Sequence, residues 1–124
     1  MFPKPITRLG TTVRWSDAVV HAGIVHAVEV PSTPAADARS QTLEVLKQLE
    51  TTLARAGSSK ERLLMCTIYL ANMADKAAFN EVWDAWLTPG TAPVRACIQV
   101  GLAEPDYKVE IHAMAAAGRQ ISEE

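Results

Sequence analysis

Only two cysteines occur in the chain, Cys66 and Cys97, too few for a disulfide framework and not spaced as a paired metal-ligand motif. No apolar run approaches the ~20 residues needed to span a bilayer. Neither sign of charge dominates: 12 Lys and Arg against 14 Asp and Glu leave a formal charge of -2. The basic stripe that marks a nucleic-acid surface is missing. The opening Met1-Phe2-Pro3-Lys4-Pro5 has no basic stretch leading into an apolar one, so no secretory signal is expected. There is no Gly-rich phosphate loop, GxSxG elbow or dinucleotide fingerprint, which removes the usual hardware of phosphoryl and hydride transfer. His21, His26 and His112 are scattered without HxH or HExxH spacing, so no metal is expected. These absences describe a soluble, reduced, cytoplasmic protein with no membrane and no nucleic-acid partner.

What is present suffices for one core. A chain of 124 residues, 48% of them hydrophobic, suits a single compact domain over 1–124 and cannot house two. No internal repeat or low-complexity segment interrupts it. The polar tail from Gly118 to Glu124 is expected to fray.

The first part reads as strands: Ile6 to Leu9, Asp17 to His21 and Ile24 to Val30, the last two joined by the tight turn Ala22-Gly23. Pro31-Ser32-Thr33-Pro34 stops the sheet, with Ser32 or Thr33 placed to cap the next element and Pro34 suited to a first helical turn. From Ala35 to about Ala56 the period becomes helical, with Thr42, Val45, Leu46, Leu49, Leu53 and Ala56 on one stripe and Gly57 as the stop. Leu63 to Leu70 is continuously apolar and short, a strand buried on both faces. Asp75 to Leu87 is a second helix whose Phe79, Val82, Trp83 and Trp86 share a face. Val94 to Val100 and Tyr107 to Met114 are the last strands. The order βββαβαββ predicts an α+β fold, a single mixed β-sheet with two helices packed on one face.

Chemistry is most visible on the last two strands. Val94, Ala96, Ile98 and Val100 alternate with Arg95, Cys97 and Gln99; Val109, Ile111 and Ala113 alternate with Glu110, His112 and Met114. Sending both apolar sets to the helices leaves Arg95, Cys97, Gln99, Glu110 and His112 on the opposite face, and adjacent if the strands are neighbours. A solvated face with a surface ion pair is the plain reading. Cys97 and Met114 suit solvent poorly, however, and an open face with apolar residues invites cover by another subunit. In a half-buried cleft Arg95 would clamp a carboxylate through two parallel hydrogen bonds, and Glu110 would position or activate water. Cys97 as a nucleophile lacks a histidine fixed beside it, so a packing role is the simpler one. Cys66, inside an apolar strand, is packing.

Several strings of the chain together resemble those of one known protein family. Arg14-Trp15-Ser16-Asp17-Ala18-Val19-Val20 opens like "(Y/W)S-x-AV", and Gln41-Thr42 with Val45-Leu46 is similar to "QT-x-x-V-L". Ala56-Gly57-Ser58-Ser59 and Thr67-Ile68-Tyr69-Leu70 match the family's central strings. Pro93-Val94-Arg95-Ala96-Cys97-Ile98-Gln99-Val100 resembles "P-x-R-x-x-V-x-V", and Lys108-Val109-Glu110-Ile111 the closing "VEIE" strand. From about residue 8 to 116, in this order, the strings resemble the YjgF/RidA family, and the Arg14-Trp15-Ser16-Asp17 opening and the Trp83-Asp84-Ala85-Trp86 segment are most similar to its YoaB-type branch.

The resemblance implies a chorismate-mutase-like homotrimer with sites in clefts between subunits. It implies cofactor-free hydrolysis of reactive enamine/imine intermediates such as 2-aminoacrylate to 2-keto acids and ammonia. By the same resemblance Arg95 would bind the substrate carboxylate, Glu110 would hold or activate the attacking water, and Cys97 would line the pocket. Trp15 stands where many members carry a tyrosine that closes the cleft. Glu29 falls at the family's glycine-bearing "SGQ" or "TGx" turn, where a carboxylate would repel an anionic substrate, reshape the pocket or pair with Arg95. Val28 replaces a small polar residue, and His112 stands at the second glutamate of "EIE". These departures bear on the substrate more than on the fold. The alternatives are a non-catalytic trimeric module that binds a small carboxylate metabolite, and an endoribonuclease, which the acidic balance disfavours.

Overall fold

The computed structural model describes residues 4–33 and 37–118. In chain order these form β1 (Ile6–Leu9), β2 (Ala18–His21), β3 (Ile24–Glu29), α1 (Ala38–Arg55), β4 (Leu63–Leu70), α2 (Lys76–Trp86), β5 (Val94–Gln99) and β6 (Val109–Ala116), with short 3-10 turns before β4 and α2. The strands make one sheet in the order β1-β2-β3-β6-β4-β5. The expected βββαβαββ order and mixed sheet are therefore present.

Local chemistry accounts for the connections. Ala22 and Gly23 both take positive φ, 50° and 80°, the geometry that lets a two-residue turn follow the twist of β2 and β3. The start of α1 differs from expectation. Asp37 caps it, its side chain accepting from the Ser40 N–H at 2.8 Å. Ser32 and Thr33 instead reach the second turn, where both N–H groups and the Thr33 hydroxyl donate to the Glu44 carboxylate. Pro34 lies outside the described residues, as does the tail beyond Gly118. At the far end Gly57, with φ 78°, allows a closing pair of bonds: Gly57 N–H to Ala54 O and Ser58 N–H to Leu53 O.

Since β6 is inserted antiparallel between β3 and β4, α1 carries the chain across it, whereas α2 links the parallel neighbours β4 and β5. The core lies between sheet and helices. Val45, Leu46, Leu49 and Leu53 of α1 and Phe79, Val82 and Trp83 of α2 bury against Val25, Cys66, Ile68, Leu70, Val109 and Ile111. Each fully buried aliphatic of this kind contributes roughly 1.5–3 kcal/mol.

The other sheet face carries no helix. Val28 of β3, Met114 of β6 and Val94 and Ile98 of β5 are exposed there, Val94 at 69%. On β5 this reverses the expected orientation. Its register with β4 pairs Cys66 with Arg95, Ile68 with Cys97 and Leu70 with Gln99. Arg95, Cys97 and Gln99 thus share the helix-covered side with the β4 core residues, and the apolar set faces outward. The assumption that apolar residues seek the helices fails because the open face is apolar as well.

Candidate functional site

The structure distributes the expected site residues over three places. The first is the edge strand β5. Arg95 reaches back to α2, donating from Nη1 to Asn80 Oδ1 at 2.8 Å, and its guanidinium stands 5.8 Å from the Phe79 ring centre and 5.6 Å from that of Trp83. Stacking on aromatic faces suits a weakly hydrated, delocalised cation. Among the described residues no carboxylate forms an ion pair with it. Cys97, two residues on, packs against the core, and Gln99 accepts from the Met73 N–H at 2.6 Å. Burial pushes the nearby Cys66 thiol up to about 12, with the Arg95 charge pulling the other way, so Cys66 is an inert packing group.

The second place is the open face of β6. Glu110 Oε2 and His112 Nε2 are 2.6 Å apart, and the His112 ring lies 4.5 Å from that of Tyr69 on β4. These three residues line a hollow of about 350 Å³ with Val100, Gly101, Leu102 and Ala103. The expected face shared by Arg95 and Glu110 is therefore not formed within one chain. The two side chains lie on opposite sides of the sheet, and β4 stands between their strands.

The third place joins Trp15 and Glu29. Trp15, 62% exposed, stands in the β1–β2 loop. Glu29 ends β3, opposite Ile111 of β6, so its side chain enters the helix-covered side below α1. Both line a hollow of about 580 Å³ with Asp17, Glu104 and Tyr107. Burial raises the Glu29 pKa above the usual 4.5, and the Asp17 charge adds to the rise. Hydrogen bonding from Thr52 and Gln48 and the Arg55 charge oppose it. The expected pairing of Glu29 with Arg95 does not occur in one chain, since β6 and β4 lie between β3 and β5. Among the described residues no cluster of three His, Cys, Asp or Glu could hold a metal ion.

Three residues of these places escape a reading of the sequence. Asn80 is a polar position next to the apolar stripe of α2, and only the crossover brings it to Arg95. Tyr69 sits in an apolar run, and its contact with His112 depends on the β4–β6 register. Gln41, fully buried on α1, carries no chemical signature until the β5–β6 loop is seen bound to it.

The family model described as Endoribonuclease L-PSP matches residues 3–117. The chain belongs to the YjgF/RidA family. Among curated relatives it is 44% identical over 116 residues to a RutC family protein of Haemophilus ducreyi, covering 93% of this chain and 99% of that one. It is 45% identical over 111 residues to the RutC family protein YoaB of Escherichia coli, covering 90% and 97%. A solved YjgF family member from Neisseria meningitidis shares the fold with TM-score 0.91 and 39% identity, over 95% of this chain and 99% of that chain. The YjgF/RidA sheet and helix arrangement is thus that of the chain described above.

Proposed function

We propose that the protein hydrolyses reactive enamine/imine intermediates of the 2-aminoacrylate type to 2-keto acids and ammonia, without a cofactor, in clefts between the subunits of a homotrimer. The observation that carries this reading is the Arg95 guanidinium: held by Asn80 and two aromatic rings, half-buried at a sheet edge, and without a carboxylate partner among the described residues. A cation so placed suits an incoming carboxylate, which its fork binds bidentately. Glu110 faces away from Arg95 within one chain, so a second copy against the exposed apolar sheet face would supply it. Cys97 beside Arg95, and Trp15 and Glu29 from the other end of the sheet, would then line the same cleft.

The chemistry asks little of the protein. Tautomerisation of the enamine gives an imine protonated at nitrogen; water adds to the C=N carbon as Glu110 takes its proton. The resulting carbinolamine accepts that proton on nitrogen and loses ammonia, the C=O forming as the C–N bond breaks and the hydroxyl proton passes to Glu110. Orientation and modest proton transfer suffice for an intermediate already reactive toward water. The net charge of -2 and the lack of a basic stripe do not suit a ribonuclease.

Generating 2-aminoacrylate in situ and measuring pyruvate and ammonia tests the reading. A rate above the spontaneous background is expected, lost in both Arg95→Ala and Glu110→Gln. No excess rate in the folded wild type refutes it. Thermal stabilisation by small carboxylates without turnover would then favour a binding module, the second reading that an Arg95 with no carboxylate partner among the described residues supports.

A further inference from the structure

Three carboxylates and two aromatic rings line the hollow of about 580 Å³, and among the described residues neither Lys nor Arg lines it. Its walls are fixed from three directions. In the β1–β2 loop the Thr12 hydroxyl accepts from the N–H groups of Arg14 and Trp15, both at 3.1 Å, and the Asp17 N–H donates to Leu9 O at 2.8 Å. Gln41 of α1 holds the β5–β6 loop, donating to Asp106 O at 2.9 Å and accepting from the Lys108 N–H at 2.8 Å. That loop presents Glu104 and Tyr107, closed by a Tyr107 N–H to Glu104 O bond of 3.1 Å. Glu29 completes the wall from the end of β3.

Glu29 marks the hollow as more than an acidic patch. Its side chain is nine-tenths buried, and Oε2 has no hydrogen-bond partner. Arg55 is engaged with Asp17 at 3.5 Å. A buried carboxylate with one oxygen lacking a donor is destabilising, and a cation held in the hollow offsets that cost through its charge, since Oε2 itself is closed to solvent. Aromatic rings add attraction for a desolvated cation. A metal ion is a poor fit, because hard cations need a tight cage of several oxygens. Among the described residues, Asp17, Glu29 and Glu104 are not close enough together to make one.

We propose that this hollow is a subsite for a small organic ammonium group, with Glu29 as its counter-ion and Trp15 and Tyr107 as its aromatic walls. Glu104 and Asp17 supply the surrounding negative potential. The substrate class follows only if the deaminase reading holds: an imine with a side-chain ammonium as well as a carboxylate, the carboxylate bound by Arg95. The ammonium subsite itself stands apart from that reading.

Calorimetric titration with n-butylammonium, with butyrate as the anionic control, tests the subsite. Binding of the amine is expected, weakened about tenfold or more by Glu29→Gln and by a smaller factor in Glu104→Gln. Glu104→Gln alters an exposed loop side chain and keeps the test decisive should Glu29→Gln fold poorly. No amine binding, or equal binding in wild type and both variants, overturns the proposal. The substrate class is tested with imines released by an amino-acid oxidase from trimethyllysine, whose quaternary side-chain nitrogen cannot close on the imine carbon, and from alanine. A preference of about tenfold in kcat/KM for the trimethyllysine imine, erased by Glu29→Gln, is expected. Turnover of both imines without preference overturns the substrate class. Turnover of neither overturns the deaminase reading, while the calorimetry still decides the subsite.

Discussion

Replacing Glu29 by Gln should stabilise the protein, and the gain should grow with pH. At neutral pH the wild type carries a carboxyl group nine-tenths buried, one oxygen of which has no donor. Leaving such a group unsatisfied costs about 1–3 kcal/mol. The amide keeps the shape and removes the charge, but gives up part of the hydrogen bonding from Thr52 and Gln48 and the Arg55 attraction, about 1 kcal/mol in all. A net gain of about 1 kcal/mol remains, a rise in Tm of about 4 °C for a domain of this size. The pH dependence follows from the direction of the shift. Unfolded, the carboxyl titrates near 4.5, and folded, at a higher pH, because burial disfavours its charged form. Between those two values the folded state holds a proton that the unfolded state has lost, so wild-type stability falls as pH rises through the window. Below 4.5 the group is protonated in both states and the penalty vanishes. Wild type and Glu29→Gln should therefore melt together near about pH 4 and separate by about 4 °C near pH 8. Both are compared at one protein concentration, because self-association would otherwise shift Tm. A difference independent of pH, or a less stable variant at the higher pH, refutes the reasoning.

Asn80→Ala should release the Arg95 guanidinium from its 2.8 Å tether, raising KM for an anionic imine about three- to tenfold with kcat changed less. Steady-state kinetics separates the two constants. Ile98→Glu places a charge on the exposed sheet face, and light scattering should show the proposed trimer giving way to monomer, with activity lost in parallel. Gln41→Leu leaves the Asp106 carbonyl and the Lys108 N–H without their buried partner and should cost about 2–4 kcal/mol, read from the urea midpoint.

The helices and most strands were legible because each is governed by a local signal. The stripe from Thr42 to Leu53 has one apolar side, Gly57 stops it, and Ala22-Gly23 leaves β2 and β3 one tight way to pair. Leu63–Leu70 agrees in its bounds, since an apolar run bounded by polar residues has no competing period, but it is not buried on both faces: Cys66, Ile68 and Leu70 pack under the helices, whereas Leu64 is exposed and Met65, Thr67 and Tyr69 are half-buried because no helix covers their side. The start of α1 was less legible. Ser32, Thr33 and Asp37 are all competent caps, and Glu44 competes for the first two from within the helix.

The orientation of β5 was hidden for a different reason. Alternation shows that Val94, Ala96 and Ile98 share a face, but not which face is covered. The choice is made by the register with β4, which aligns Arg95 with Cys66, and by Asn80, Phe79 and Trp83 on α2, which together give a guanidinium both an acceptor and aromatic surface. Arg95 is thus held from the helix side, while Glu110 and His112 face the open side. A sheet with exposed apolar residues on its open face, its cationic anchor on one side and its carboxylate on the other, cannot complete a two-group site within one chain. The same orientation that defeats a sequence-based assignment of the site makes self-association necessary to the proposed chemistry. Ile98→Glu then becomes a test of mechanism as well as of assembly: retention of full activity in a monomeric variant would separate Arg95 from Glu110 and leave the hydrolysis without its base.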